Sequence, residues 1–272
     1  MRNFIIYLSN KGPDLKKEQM DLLSAALDKE YSVSAFMASD FDDSKNLLNS
    51  DSVVWCYFRG TPSTAEDVLN RLENPDIKII NDYRKFDISN KWMNYELCRT
   101  NGLGIPRTYQ VPANADVAPI TSALSYPIVV KAYPSGQGRD VVLCSTPPDA
   151  NEAARAMHLK GLKVLAQEYI AESHGFDLRV LFVANSISAS IRRQAADRDF
   201  RANISQGGSF RPYEPSVEEE RYIRKARSLF DIEICGFDFL FSKRGLLFNE
   251  INAAPLWLSG FDISSDVVRE LL

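Results

Sequence analysis

Histidine is scarce in this chain, with only His158 and His174 in 272 residues. Two imidazoles are too few for a histidine-built metal site. The four cysteines, Cys56, Cys98, Cys144 and Cys235, are far apart and form no metal-type or redox-type pair. Each stands among apolar neighbours, where a thiol packs as a small hydrophobe, so a reducing, cytoplasmic location is expected. Positive charge is not in excess either: 32 Lys and Arg against 36 Asp and Glu leave a net charge of -4. That removes the electrostatic footprint of a nucleic-acid or membrane-surface binder. No apolar run approaches the length that spans a bilayer. The start, Met1-Arg2-Asn3 and then Phe4-Ile5-Ile6-Tyr7-Leu8, is too short for a signal peptide and lacks a small-residue cleavage site; it reads as a first buried strand. Internal repeats, low-complexity segments, the P-loop pattern and the Rossmann fingerprint are all missing. So is a Ser, Cys or His constellation of the kind covalent catalysis needs.

What remains is ordinary globular material, 45% hydrophobic and 25% charged, long enough for a large core and one to three compact units. Residues 1–85 alternate between two periodicities. Strands are predicted over 4–8, 31–37, 53–58 and 77–80, and helices over 15–27, 41–48 and 64–72, which together suggest a small parallel α/β domain. Ligands of such domains gather beyond the carboxyl ends of the strands. Ser9 and Arg59 are therefore candidate substrate contacts, with a solvated loop arginine as the plainer reading of Arg59. Residues 86–101 read as a helix ended by Asn101-Gly102, with Pro106 soon after. Strands over 126–131, 141–144 and 164–170 and a helix over 147–159 follow.

The end of the chain carries the sharpest chemical signal. Gly236-Phe237-Asp238-Phe239 and Phe248-Asn249-Glu250-Ile251-Asn252 flank Lys243-Arg244-Gly245, the pattern of an antiparallel hairpin. Asp238 and Glu250 are equidistant from Arg244, so a three-residue loop would set them opposite one another. The period of two adds Asn252 to their face. Two carboxylates and an amide oxygen at one spot are costly unless a cation lies between them, and hard oxygen donors suit magnesium. A solvated strand face is the alternative. Upstream, Val129-Val130-Lys131 leads into Tyr133-Pro134-Ser135-Gly136-Gln137-Gly138, a point charge beside glycines that let backbone amides approach an anion, or else a plain turn. Asp177 and Arg179 share one face of a strand, as an ion pair or as a polar floor under a ligand. Arg192, Arg193, Arg198 and Arg201 are dense for an acidic protein and suit a carboxylate or phosphate, although a solvated basic loop would look the same.

Taken in order, Asn90-Lys91-Trp92, Ile128-Val129-Val130-Lys131, Ser135-Gly136-Gln137-Gly138, Gln167-Glu168-Tyr169-Ile170, Gly175-Phe176-Asp177-Leu178-Arg179, Ile191-Arg192-Arg193, Phe200-Arg201-Ala202-Asn203, Gly207-Gly208, Gly236-Phe237-Asp238 and Asn249-Glu250-Ile251-Asn252-Ala253-Ala254-Pro255 resemble the ATP-grasp superfamily. The likeness is strongest to its RimK-like branch, of the ribosomal-protein glutamate ligase type, and runs from about Asn81 to the C-terminus. It implies an α/β fold, α+β in the ATP-grasp part: an N-terminal parallel α/β domain over 1–85, a central lobe over 86–165 and a C-terminal lobe with the metal site over 166–272. By the resemblance, Lys91 and Lys131 hold nucleotide phosphates, and Ser135, Gly136, Gln137 and Gly138 form a flap that excludes water. Gln167, Glu168, Tyr169 and Ile170 bind adenine, Asp177 contacts ribose, and Asn203 belongs to the same nucleotide set. Arg179 and Arg193 face the transferred phosphate and the substrate carboxylate, and Asp238, Glu250 and Asn252 hold magnesium.

The implied activity is an ATP-dependent carboxylate–amine ligase that forms an amide through an acyl phosphate and releases ADP and phosphate. Its cofactors are ATP and Mg2+, two ions by family analogy, with Mn2+ as a substitute. Its partners are a carboxylate donor and an amine acceptor, an amino acid, a peptide or a protein tail; nucleic acid and membrane are not expected, and the oligomeric state is left open, many members of the family being dimers or tetramers. A phosphotransferase and a non-catalytic nucleotide-binding protein are the alternatives. Two departures bear on the substrate. Leu256-Trp257-Leu258 replaces the usual glycine after Pro255 and suggests an unusual or more apolar substrate touching Trp257, with simple core packing of Trp257 as the alternative, and Arg192 stands where an acidic residue is common, adding positive charge near the acceptor. Arg59, Arg192, Arg201 and Trp257 are the candidate substrate residues.

Overall fold

A computed structural model describes residues 2–8, 17–27, 30–57, 67–72, 74–85, 90–134, 140–196, 199–202, 207–253 and 262–272. Of the residues singled out above, Ser9, Arg59, Ser135, Gly136, Gln137, Gly138, Arg198, Asn203 and Trp257 lie outside the described ones.

The first strand, β1 (Arg2–Leu8), lies between β2 (Tyr31–Met37) and β3 (Val53–Tyr57), and β4 (Lys78–Ile80) completes a parallel sheet in the order β2-β1-β3-β4. An unbroken apolar run is what a strand buried on both faces requires. The alternation of β1 divides it between two cores: Ile5 and Tyr7 join one cluster, Phe4, Ile6 and Leu8 another. Helix α1 (Lys17–Ala26) packs beside this sheet. The helix predicted over 41–48 breaks up: α2 covers only Phe41–Ser44, and a 3-10 turn follows over Lys45–Leu47. The cause is Ser44, whose hydroxyl meets the Tyr7 hydroxyl at 2.6 Å and donates to the Phe41 carbonyl at 2.8 Å, an alternative to continuing the helix.

Helix α3 (Lys91–Thr100) starts where the Asn90 side chain accepts from the backbone N–H of Met93 at 3.2 Å. That cap puts Lys91 in the first turn. Next come β5 (Thr108–Val111), α4 (Val117–Ile120), β6 (Ile128–Tyr133), β7 (Val141–Cys144), α5 (Pro147–Leu159) and β8 (Lys163–Glu168). Their strands make an antiparallel sheet in the order β5-β8-β6-β7. This sheet runs to Glu168, since β8 pairs with β6 over Lys163–Glu168 and with β5 over Val164–Gln167. Ile128, Val130 and Ala132 turn inward onto α4 and α5, which leaves Val129 and Lys131 on the opposite face.

A second antiparallel sheet is built from β9 (Phe176–Val183), β10 (Ser186–Gln194), β11 (Ser209–Pro212), β12 (Ile234–Ser242) and β13 (Gly245–Asn252), ordered β11-β10-β9-β12-β13. Helix α6 (Val217–Arg227) opens on a Ser216/Glu219 capping box, carries Glu218, Glu219 and Glu220 in its first turn and ends on Arg224, Lys225 and Arg227, charges that complement its dipole. Helix α7 (Ser264–Leu271) lies against α1. Leu178, Val180, Phe182, Phe237, Phe239 and Phe248 pack into the same cluster as Ile5 and Tyr7, so the parallel sheet and this one share a core. Asn81, buried at φ 61, fastens them: its amide donates to the carbonyls of Ile234 at 2.8 Å and Ala253 at 2.9 Å and accepts from the Ile234 N–H at 2.8 Å.

The β12–β13 hairpin corrects the predicted loop. Ser242 pairs with Gly245 across a two-residue turn, and Gly245, at φ 90, adopts the backbone that glycine allows. In that register Asp238 would oppose Asn249. A bulge between Asp238 and Phe239 on one strand takes up Asn249 as the extra residue on the other, and Asp238 pairs with Glu250 after all.

Candidate active site

A cleft of about 130 Å³ opens between the two antiparallel sheets. Lys91, Lys131, Gln167, Glu168, Tyr169, Ile170, Asp177, Arg193, Arg201, Asp238 and Glu250, all predicted site residues, line it together. Arg179 lies behind Asp238, and Asn252 reaches Asp238 and Glu250 from the end of β13. Arg192 is the exception. Strand alternation turns Arg193 toward Asp177 and so turns Arg192 away: its guanidinium packs 3.9 Å from the ring centroid of Phe176, with Phe241 at 5.7 Å, and does not face the cleft.

On the floor, charges alternate across four strands. Arg193 of β10 pairs with Asp177 of β9, and Arg179 of β9 with Asp238 of β12, which is opposite Glu250 of β13. Arg193 Nε donates to Asp177 Oδ1 at 2.7 Å and its Nη2 to Asp177 Oδ2, while the same Nη2 is 2.9 Å from Asp238 Oδ2. Arg179 holds both oxygens of Asp238 in a fork, 2.7 Å on each side. Burial alone would raise the pKa of Asp238, but the two guanidiniums outweigh it and hold the group below the ordinary carboxylate range. Asp177 must share Arg193 with Asp238 and is pushed the other way, burial being the largest cause. The resemblance suggests a ribose contact for Asp177, whose carboxylate accepts from Arg193.

The opposite wall carries Lys131, 4% exposed. Burial and then the charge of Lys91 pull its pKa from 10.5 to about 7, with Glu250 opposing. Its ammonium donates to the hydroxyl of Tyr95 and lies 3.4 Å from Asn249 Oδ1. Lys91 reaches across from α3 to Glu250 Oε2 at 3.5 Å. Gln167 uses its amide to donate to Tyr95 Oη at 2.7 Å and Thr108 Oγ1 at 2.9 Å. Glu168 accepts from the backbone N–H of Arg107 at 3.0 Å and from Arg244 Nη2 at 2.8 Å, so it bridges the central sheet to the hairpin turn. Burial raises its pKa, and these donors lower it further than burial raises it. Arg201 pairs with Asp199 at 2.8 Å.

The metal expectation can be tested on the donor set. Among the described residues no group of three or more His, Cys, Asp or Glu could hold an ion. Magnesium commonly takes one or two carboxylates and completes its shell with water and phosphate. The Asn252 amide lies 3.5 Å from Asp238 Oδ2 and 3.5 Å from Glu250 Oε1, and a half-turn of that amide presents its oxygen at the same point. A carboxylate has about four acceptor positions; Asp238 gives three to arginine and keeps one, while among the described residues Glu250 meets Lys91 and the Asn252 amide, each at 3.5 Å. The three side chains fit a hard divalent cation.

The profile of the RimK-like ATP-grasp domain matches residues 88–271. The chain belongs to the RimK-like ATP-grasp family. A probable alpha-L-glutamate ligase of Aeromonas salmonicida (strain A449) is 35% identical over 180 residues, 65% of this chain and 60% of that protein, so the match spans less than two thirds of that relative. A probable alpha-L-glutamate ligase of Pasteurella multocida (strain Pm70) is 26% identical over 242 residues, 87% of this chain and 77% of the relative. D-alanine–D-alanine ligase from Bacillus anthracis, in a crystal structure with ATP, shares the fold, with a TM-score of 0.73 at 16% identity over 98% of this chain and 92% of that one.

Sequence reasoning missed several residues of this RimK-like cleft. Val129 and Leu240 line it because they lie two residues from Lys131 and Asp238 on the same strand faces, so the period of two was signal enough. Phe176, Phe200 and Ala202 add apolar wall beside Asp177 and Arg201, and Val141 adds more from β7. Asn249 enters only through the bulge, and Tyr95, which does not line the cleft but accepts from Lys131, comes to it only through the packing of α3 against β13. No local pattern announces either one.

Proposed function

We propose that this RimK-like ATP-grasp chain is an ATP-dependent carboxylate–amine ligase. One observation carries the reading: two lysines, Lys91 and Lys131, face Asp238 and Glu250, with Asn252 beside that pair, across a single cleft that also has an apolar patch. That is the charge layout a nucleotide triphosphate with its metal needs at one end and an adenine needs at the other. Val129, Val141, Ile170, Phe176 and Leu240 give the base an apolar slot, and Glu168 and Tyr169 border it. Asp238, Glu250 and Asn252 would hold magnesium, two ions by family analogy with Mn2+ as a substitute, neutralising charge on the phosphate oxygens. Lys131 and Lys91 orient the phosphates. Arg193, held in place by Asp177 and Asp238, presents preformed N–H donors to the charge that moves from carboxylate to leaving phosphate.

The substrate carboxylate takes the γ-phosphoryl group and releases ADP, and an amine attacks the resulting acyl phosphate and releases phosphate, leaving an amide. The names of the relatives support L-glutamate as one partner, with an amino acid, a peptide or a protein tail as the other. All four cysteines are buried free thiols, which supports a reducing, cytoplasmic setting. A dimer or tetramer is part of the same reading and is measured by analytical ultracentrifugation. The decisive assay is ADP release in a screen of amino acids and short peptides. Release should require both an acid and an amine, and hydroxylamine should trap a hydroxamate. A phosphorylated product stable to hydroxylamine would instead make the protein a phosphotransferase, and ADP release indifferent to both partners would overturn the ligase reading.

A further inference from the structure

Tyr95, on α3 and 1% exposed, brings three strands to one oxygen. Its hydroxyl donates to the backbone carbonyl of Asn249 on β13 at 2.8 Å, accepts from the Gln167 amide of β8 at 2.7 Å, and accepts from the Lys131 ammonium of β6. One proton and two lone pairs are all a phenol has, and all are in use. Two of the partners matter to the chemistry. Lys131 is a buried cation of the cleft. Asn249 is the extra residue of the bulge, and a bulged residue drops out of the strand ladder. If the bulge slipped by one residue, Asn249 would face Asp238 and Glu250 would turn to the other side of the sheet.

We propose that Tyr95 is a positioning residue that couples the phosphate side of the cleft to the metal side, its oxygen fixing the Lys131 ammonium while its proton pins the bulge that keeps Glu250 opposite Asp238. The proposal rests on the nucleotide and magnesium positions of the ligase reading. A purely structural Tyr95 would act through its ring, which packs edge-on to Phe248 at 6.3 Å and belongs to the shared core. Tyr95→Phe keeps that ring and removes only the hydroxyl, so the two roles separate.

The test is calorimetric binding of ADP to wild type, Tyr95→Phe, Lys131→Met and the double variant, first in EDTA and then across a Mg2+ series. Tyr95→Phe is expected to weaken metal-free binding by about tenfold, the loss of one charged hydrogen bond. It should also raise the Mg2+ needed for half-maximal tightening by about 10–100-fold, the range for residues that support metal ligands. In the Lys131→Met background the first effect should vanish and the second persist, a non-additivity that general loosening of the core does not produce. Wild-type affinity and an unchanged Mg2+ midpoint in Tyr95→Phe would overturn the proposal alone, as would full additivity with Lys131→Met. A wild-type protein that binds no nucleotide would overturn the ligase reading and this proposal with it. Should Tyr95→Phe not fold, wild-type protein with 3-fluorotyrosine at position 95 replaces it. Its fluorine resonance should move on adding ADP and again on adding Mg2+, and a resonance that moves with neither overturns the proposal.

Discussion

Replacing Asp238 by Asn asks whether this carboxylate is held for the metal alone or for the arginines as well. In metal-free protein, a carboxylate that faces only another carboxylate repels it, and neutralising such a group raises stability at the expense of function. Asp238 is placed differently. At 2% exposure it receives Arg179 Nε and Nη2 at 2.7 Å each, and Arg193 Nη2 at 2.9 Å. Asp238→Asn exchanges one acceptor oxygen for an N–H that points at a guanidinium. Removing one partner of a buried ion pair costs about 3–5 kcal/mol. The cost is not doubled for the second arginine, because Arg193 keeps Asp177. Glu250→Gln is the control: its side chain is 31% exposed with Lys91 at 3.5 Å, and such a pair contributes about 1 kcal/mol or less. Both variants and wild type are unfolded thermally in EDTA without nucleotide at neutral pH. At roughly 2–4 °C per kcal/mol for a chain of this class, Asp238→Asn should melt about 6–20 °C below wild type and Glu250→Gln within about 4 °C of it. An Asp238→Asn protein that melts at or above the wild-type temperature would refute the reasoning. The same pairing fixes the acid limit. With its folded pKa below 3.8, Asp238 contributes stability that is complete above the unfolded value and is lost as pH falls through the folded one.

Three further outcomes are expected. Lys131 has a folded pKa near 7 against 10.5 unfolded, so between those values the unfolded chain binds more protons and stability rises with pH; Lys131→Met should flatten that rise in a pH series of urea midpoints and stabilise the metal-free protein below pH 7, and a variant as pH-responsive as wild type counts against the burial of this charge. Gly175 has φ 75 and would place a Cβ 3.0 Å from the Asp199 carbonyl, so Gly175→Ala should cost about 2 kcal/mol by denaturant unfolding, from the left-handed backbone and the clash together. Arg192 packs on Phe176 outside the cleft, so Arg192→Ala should lose about 1 kcal/mol of stability yet leave KM for acid and amine within about threefold; a tenfold rise in KM would restore it to the acceptor site.

Much of the architecture was legible because it rests on patterns that repeat locally. The parallel sheet follows from apolar runs with helical stretches between them, and α5 begins and ends at the residues its Thr146 cap and apolar period indicate. The site residues were legible for a different reason. The order of their motifs resembles the RimK-like ATP-grasp branch, and that resemblance marked Lys91, Lys131, Asp177, Arg193, Asp238 and Glu250; the structure lines one cleft with all six. Where local competition decided the outcome, the pattern failed: Ser44 diverts α2 through a hydroxyl whose partner, Tyr7, is 37 residues away.

By itself, then, the sequence determined which side chains share a strand face, which charges had to find partners, and the family to which the chain belongs. Only the tertiary structure decided which partner each charge took. Asp238 could have waited for a cation with Glu250 alone, but the pairing of β9 with β12 brings Arg179 onto both of its oxygens. Arg192 and Arg193 were equivalent as text, and the pleat of β10 sends one to the cleft and the other to Phe176. Asp238 and Glu250 do face each other, but through a two-residue turn and a bulge at Asn249 rather than a longer loop. Register within a strand is set by neighbours along the chain; a bulge is held by what packs against it, and here that is a tyrosine from a helix 154 residues earlier.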